Sequence, residues 1–221
     1  MARTNQAEVR EVTPGPGEHR HQGKEAKESS KVRWAMVIDL RRCIGCQTCQ
    51  VACKSENGVP LSVWRTWVKQ IEKGRYPVVT KSFLPLLCNN CENPICNTVC
   101  PVRATYRRAD GIVMIDPHRC IGCKYCIAAC PYDVRYVDPI KKIVEKCYWC
   151  QHRVDAGLKP ACVTSCIGGA RVFGDLNDPE SEVARLLASH PVQVIKPEKT
   201  TLPQVYYIGL DMEAVKAKEM E

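Results

Sequence analysis

Apolar positions along this chain come in short bursts, and almost all of them read as strands rather than as long helices. Trp34-Ala-Met-Val-Ile-Asp39 is a β-rich run of the kind that forms a buried strand. Trp64 to Ile71, then Lys73-Gly-Arg75, then Val78-Val-Thr80 predict a hairpin. A strand–turn–strand signal runs from Ala104–Arg107 to Ile112–Ile115 around Asp110-Gly111, a pair suited to tight turns. Val134–Val137 with Lys142–Glu145 predicts another hairpin, and Ala170–Phe173 and Gln204–Ile208 predict closing strands. A helical period shows from Glu180 to Ser189, where Val183, Leu186 and Leu187 fall on one side. Residues 1–31 are polar, with Pro14-Gly-Pro-Gly17, and predict a disordered extension; residues 211–221 predict a charged, frayed end.

Between these bursts stand cysteines, 16 in 221 residues. The third group, Cys120-x2-Cys123-x2-Cys126-x3-Cys130-Pro131, has the bacterial ferredoxin spacing. In that arrangement three thiolates hold one [4Fe–4S] cluster and the fourth reaches across to a second. The reason is reach: a tight turn at Gly122 lets three thiolates converge, while the fourth, a helical turn onward, points elsewhere. The first group, Cys43-x2-Cys46-x2-Cys49-x3-Cys53, repeats it. Val37-Ile-Asp-Leu-Arg-Arg-Cys-Ile-Gly-Cys46 matches Met114-Ile-Asp-Pro-His-Arg-Cys-Ile-Gly-Cys123, so both read strand, turn, cluster loop and a short helix carrying the fourth cysteine. The second group is Cys88-x2-Cys91-x4-Cys96-x3-Cys100-Pro101, and the fourth is Cys147-x2-Cys150-x11-Cys162-x3-Cys166. These four groups use every cysteine in the chain. The spacing leaves open which groups pair.

Composition favours metal over other uses of the thiols. Aromatics are 6% of residues, with two Phe, so the side-chain core is thin and needs staples. Disulfides suit secreted chains, and residues 1–30 carry no apolar signal core. Structural zinc takes separated pairs, often with His, and there are five His. A zinc-stabilised interaction module is therefore the weaker reading. The formal charge of +8 suggests a nucleic-acid partner until the clusters are counted. Sixteen thiolates on four oxidised cubes carry about eight negative charges, which cancel it. No stretch reaches the roughly 20 apolar residues of a membrane span.

No phosphate loop, nucleophile–His arrangement or flavin or nicotinamide fingerprint is present. With every thiol committed to ligation, the chain reads as an electron relay with no catalytic residue of its own. Lys124, Tyr125, Lys146, Trp149 and His152 flank the cluster loops and are candidates for tuning cluster potentials. Trp64 and Trp67 are candidates for docking a partner or for capping the nearest cluster.

Several stretches carry a family likeness over about residues 33–210: Leu87-Cys-Asn-Asn-Cys-Glu-Asn-Pro94, Cys100-Pro-Val-Arg-Ala-Thr-Tyr106, Cys130-Pro-Tyr-Asp-Val-Arg135, Asp155-Ala-Gly-Leu-Lys-Pro-Ala-Cys162 and Gly174-Asp-Leu-Asn-Asp-Pro179. In these the chain resembles the four-cluster iron–sulfur subunits of molybdopterin oxidoreductases of the DMSO-reductase superfamily. Ser165-Cys-Ile-Gly-Gly-Ala-Arg171, Val194-Ile-Lys-Pro-Glu198 and Tyr206-Tyr-Ile-Gly-Leu-Asp211 are similar to the tetrathionate reductase branch. The resemblance departs at Ile167, where many relatives have Pro.

The resemblance implies an α+β fold of two pseudo-symmetric ferredoxin-like units over residues 32–175, with a β-hairpin insertion at 54–87 and a helix/strand arm at 176–221. It implies four [4Fe–4S] clusters with nested pairing. Cys43, Cys46, Cys49 and Cys166 then hold the first, and Cys147, Cys150, Cys162 and Cys53 the second. Cys88, Cys91, Cys96 and Cys130 hold the third, and Cys120, Cys123, Cys126 and Cys100 the fourth. The implied partners are a molybdopterin catalytic subunit and a quinone-reactive membrane anchor, with no nucleic acid and no span of its own. The complex is peripheral to a membrane, either cytoplasmic or exported with a signal-bearing partner. A subunit of a formate dehydrogenase or hydrogenase, or a free-standing polyferredoxin, shares most of these features.

Overall fold

A computed structural model describes residues 32–216; the predicted N-terminal extension and the last residues of the charged end lie outside them. Strand β1 (Trp34–Asp39) leads into the first cysteine loop and helix α1 (Thr48–Glu56). A hairpin follows, β2 (Thr66–Arg75) and β3 (Val78–Leu87), then α2 (Ile95–Thr98), β4 (Thr105–Arg107) and β5 (Val113–Ile115). Next come α3 (Tyr125–Ala128), β6 (Arg135–Val137), β7 (Val144–Lys146), α4 (Gln151–Asp155) and α5 (Ala161–Thr164). The chain closes with β8 (Arg171–Asp175), α6 (Glu182–Ser189), β9 (Val192–Gln193), β10 (Val205–Ile208) and α7 (Met212–Lys216).

The only four-stranded sheet among the described residues runs β8-β1-β10-β9, with β1 antiparallel to β8 and parallel to β10. β1 is an uninterrupted apolar run because both its faces are covered. Ala35 and Val37 meet Val172, Val183 and Ile208 beneath α6. Met36 and Ile38 face the main core with Trp149, Phe173, Val205 and Tyr207. Because β10 pairs with β1, the C-terminal segment is built into the sheet that precedes the first cysteine loop. The other strands form hairpins, β2–β3, β4–β5 and β6–β7, at the places the alternation of the sequence predicts.

Two local expectations are corrected. Only α1 carries its group's fourth cysteine, Cys53; α2, α3 and α5 stop before Cys100, Cys130 and Cys166. Cys100 and Cys130 each precede a proline, and the residue before proline is pushed out of the helical region. The amphipathic helix likewise starts at Glu182, not Glu180, because Ser181 caps it: its Oγ accepts from the Ala184 amide at 3.1 Å.

Candidate metal centres

The loops that carry the cysteines are bent by left-handed residues at repeating places. Gly45 and Gly122 (φ +69° and +66°) sit between the first two thiols of their groups, and Gln47 and Lys124 (φ 60° and 65°) follow the second. Three residues beyond Cys100, Cys130 and Cys166 stand Arg103, Asp133 and Gly169, again left-handed at φ 50°, 54° and 57°. That turn aims the next amide back at the sulfur. The Ala104 amide donates to Cys100 Sγ and the Ala170 amide to Cys166 Sγ, both at 3.2 Å. The Trp149 amide donates to Cys147 Sγ at 3.4 Å, and Asn57 Nδ2 reaches both Cys53 Sγ and Cys150 Sγ at 3.6 Å.

All sixteen thiols are free of disulfides. Cys43, Cys46, Cys49 and Cys166 line one void together with Gly45 and Arg171. Cys88, Cys91, Cys96 and Cys130 line another together with Pro94 and Arg135. α1 packs on α5, and there Cys147 feels the charges of Cys53, Cys162 and Cys150. α2 packs on α3, and Cys126 feels those of Cys120 and Cys100. Cys123 stays exposed at the rim of this last group, as Cys46 does at the rim of the first. Each gathering therefore joins thiols from two groups of the sequence, the first with the fourth and the second with the third.

Four thiols around one void are the donor set of an iron–sulfur cube. Among the described residues no three Cys, His, Asp or Glu side chains are placed to hold a single metal ion. Burial pushes the Cys53 thiol up to about 12, reinforced by the charges of Cys162 and Cys150. It does the same for Cys91, to about 12, with Cys88 adding to it. Cys100 is held low instead, because the amides of Thr105, Ala104 and Val102 outweigh its burial. Thiols held protonated by burial are poor nucleophiles, and coordination to metal is what ionises them.

Three buried cations stand among these thiols. Arg135, Lys146 and Arg171 are 5%, 0% and 3% exposed, and none forms an ion pair with a carboxylate among the described residues. Arg135 Nη2 donates to Cys96 Sγ at 2.7 Å and Nη1 reaches Thr105 Oγ1 at 3.5 Å. Arg171 Nη2 donates to Thr66 Oγ1 at 2.9 Å, while its Nη1 is buried without a partner. Lys146 Nζ donates to the Cys147 carbonyl at 2.8 Å and to Asn90 Oδ1 at 3.4 Å, and lies 4.5 Å over the Tyr148 ring. Burial works against the charge of Arg171, but Cys162 and Cys49 outweigh it and its pKa is raised. Arg135 is raised likewise, with Cys96 and Cys88 outweighing burial. For Lys146 burial dominates and the pKa is lowered, although Cys88, Cys147 and Cys96 pull it up. Buried cations without carboxylates call for anions in the same place, and an unpartnered guanidinium nitrogen beside the thiols is what an anionic cube satisfies.

The other tuning candidates divide. Trp149 is buried, its indole Nε1 unpartnered. Lys124 and Tyr125 are exposed, and His152 pairs at the surface with Glu56 at 2.8 Å, so these three are surface residues. Trp64 is exposed beneath Lys54 Nζ, 4.2 Å from its ring, and Trp67 packs half-buried on the core. Arg135 and Arg171 were not among the expected tuning residues. Their one signal in the sequence is position: each follows the fourth cysteine of its group by five residues.

Comparisons with known proteins point to 4Fe-4S clusters as well. The family described as a 4Fe-4S dicluster domain matches residues 79–176, and a 4Fe-4S binding domain matches residues 34–55. A tetrathionate reductase subunit of Salmonella typhimurium is 50% identical over 196 residues, covering 87% of this chain and 76% of that one. A selenate reductase subunit of Mesobacillus selenatarsenatis is 43% identical, covering 82% and 74%. A polysulfide reductase subunit of Wolinella succinogenes is 42% identical, covering 80% and 94%.

Proposed function

This chain therefore belongs to the iron–sulfur subunits of molybdopterin reductases, and from that premise we propose that it is a wire of four [4Fe–4S] clusters joining a quinone-linked membrane subunit to a molybdopterin catalytic subunit. It is an electron-transfer subunit and not the catalytic one. The clusters, when bound, supply one-electron carriers. The residues hold and insulate them. Cys43, Cys46, Cys49 and Cys166 hold the first, and Cys53, Cys147, Cys150 and Cys162 the second. Cys88, Cys91, Cys96 and Cys130 hold the third, and Cys100, Cys120, Cys123 and Cys126 the fourth. The observation that carries this reading is the pair of voids, each ringed by four cysteines drawn from two groups.

Two ferredoxin-like units follow from that pairing. Supporting the pseudo-symmetry are the matched amide-to-sulfur bonds at Cys100 and Cys166 and the matched glycine turns at Gly45 and Gly122. The double unit covers residues 32–175 with the hairpin region 54–87 inserted, and β9 and β10 of the arm that follows complete the sheet of the first unit. No helix among the described residues is long and apolar enough to cross a membrane. The rim beside the first loop, lined by Gln47, Trp64 and Trp67, is a docking surface for a partner subunit.

The acceptor follows the likeness to tetrathionate reductase subunits: a sulfur oxyanion such as tetrathionate. Protein purified without oxygen should carry about sixteen iron and sixteen sulfide per chain. Co-expressed with its neighbouring genes, it should co-purify with a large molybdenum subunit, and that complex should oxidise a reduced viologen with tetrathionate. A colourless or zinc-loaded chain refutes the wire. A complex that reduces the dye with formate or hydrogen instead refutes the direction and the substrate.

A further inference from the structure

The three cations buried among the thiols are not scattered. Arg171 lines the void of Cys43, Cys46, Cys49 and Cys166, and its charge also acts on Cys53, Cys147 and Cys162. It therefore stands between the first and second thiol sets. Lys146 donates to the carbonyl of Cys147 in the second set and feels Cys88 and Cys96 of the third. Arg135 lines the void of Cys88, Cys91, Cys96 and Cys130, donates to Cys96 Sγ, and its charge also acts on Cys126 of the fourth. One cation falls in each of the three gaps.

The backbone fixes these places. Arg135 and Arg171 are the first residues of β6 and β8, the strands that follow the third and fourth cysteine groups. Their hydroxyl partners, Thr105 and Thr66, are the first residues of β4 and β2, which follow the second and first groups. Lys146 is directly opposite Arg135 in the β6–β7 ladder. Like charges directly across a sheet repel, and here both are buried. Burial and the facing Arg135 both work against the charge of Lys146, and the neighbouring Cys88, Cys147 and Cys96 sulfurs work for it. Every partner of Lys146 Nζ is an acceptor or a ring face, as an ammonium with three donors requires.

Resting on the four-cluster reading, we propose that Arg171, Lys146 and Arg135 are spacer cations, one per gap, each raising the potentials of the two clusters beside it so that neighbouring clusters can be reduced together. They are positioning residues: they touch ligands and do not themselves carry electrons. A reduced cube gains one negative charge and repels the gain of another on its neighbour, and a fixed positive charge between them offsets that repulsion in a low-dielectric site.

The test is a redox titration followed by EPR on the anaerobic full chain, after iron and sulfide have been counted. Signals are assigned with Cys46→Ser for the first cluster and Cys123→Ser for the fourth. Arg171→Gln should lower the first and second potentials, Lys146→Met the second and third, and Arg135→Gln the third and fourth. Each affected cluster should lose at least tenfold in its reduction equilibrium, ~59 mV for one electron. Unmoved potentials, a uniform fall in all clusters, or a fall in one cluster alone would each overturn the assignment. If a neutral variant loses iron, Arg171→Lys, Arg135→Lys and Lys146→Arg decide. Wild-type potentials in these support fixed charge, and lowered ones overturn it. Wild-type chain with fewer than about sixteen iron overturns the underlying wire instead, so the two failures are distinct.

Discussion

Gly45 and Gly122 hold equivalent turns, and each is closed in by a different neighbour. A Cβ on Gly45 would stand 2.2 Å from the Phe83 ring of β3, and one on Gly122 would stand 2.6 Å from the Lys142 carbonyl. Both are left-handed, where a side chain costs roughly 1–2 kcal/mol before any clash. Gly122→Ala meets backbone that cannot swing aside, so it should be the more damaging. We expect it to release about four iron per chain, from the fourth cluster, while Gly45→Ala weakens the first cluster less because the Phe83 ring can move. Iron analysis with EPR of the remaining signals checks both, and equal loss of all clusters would count against the local account. The thiols and these glycines were legible because their spacing is itself the signal. Arg135 and Arg171 were not, since an arginine in a short strand is by default a solvated one. Lys124 shows the opposite error: adjacent to Cys123 in sequence, it points to solvent in space.

Helix α6 covers the side of the sheet away from the cysteines, so its stability and the clusters can be separated. Val183 is fully buried against Ala35, Val37 and Val172, and Ser181 caps the helix. Val183→Ala should cost about 2 kcal/mol, and Ser181→Ala about 1 kcal/mol. Thermal melts of the holoprotein should show both losses with iron content unchanged; loss of iron in step with stability would mean that α6 supports the cluster side. The helix and every hairpin could be read from the sequence because period and turn residues are local information. The order β8-β1-β10-β9 could not: the parallel pairing of β1 with β10 joins residues far apart in the chain, and no short pattern records it. The expected C-terminal arm turned out to share a sheet with β1 for that reason.

Charge ties the whole molecule to its metal. The polypeptide alone carries a formal +8 and a sequence pI of about 8.7. Three of its cations are buried beside the cysteines, and two of them, Arg135 and Lys146, face each other across the β6–β7 ladder, so the metal-free chain lacks the cluster charge that would offset them. Removing one partner of a buried pair typically costs 3–5 kcal/mol, and folded domains hold only about 5–15 kcal/mol in total. With a thin aromatic core and voids where the clusters belong, the metal-free chain has little to set against that cost. It should therefore lose its tertiary structure as a unit, with folding and metal loading the same event. Stripping the clusters with chelator and oxidant should abolish near-UV circular dichroism and open β1 to hydrogen exchange, and anaerobic focusing should place the holoprotein well below the metal-free pI. A metal-free chain that keeps protected amides in β1 would show that side-chain packing holds the cations apart without anions, and the electrostatic account of this fold would fail.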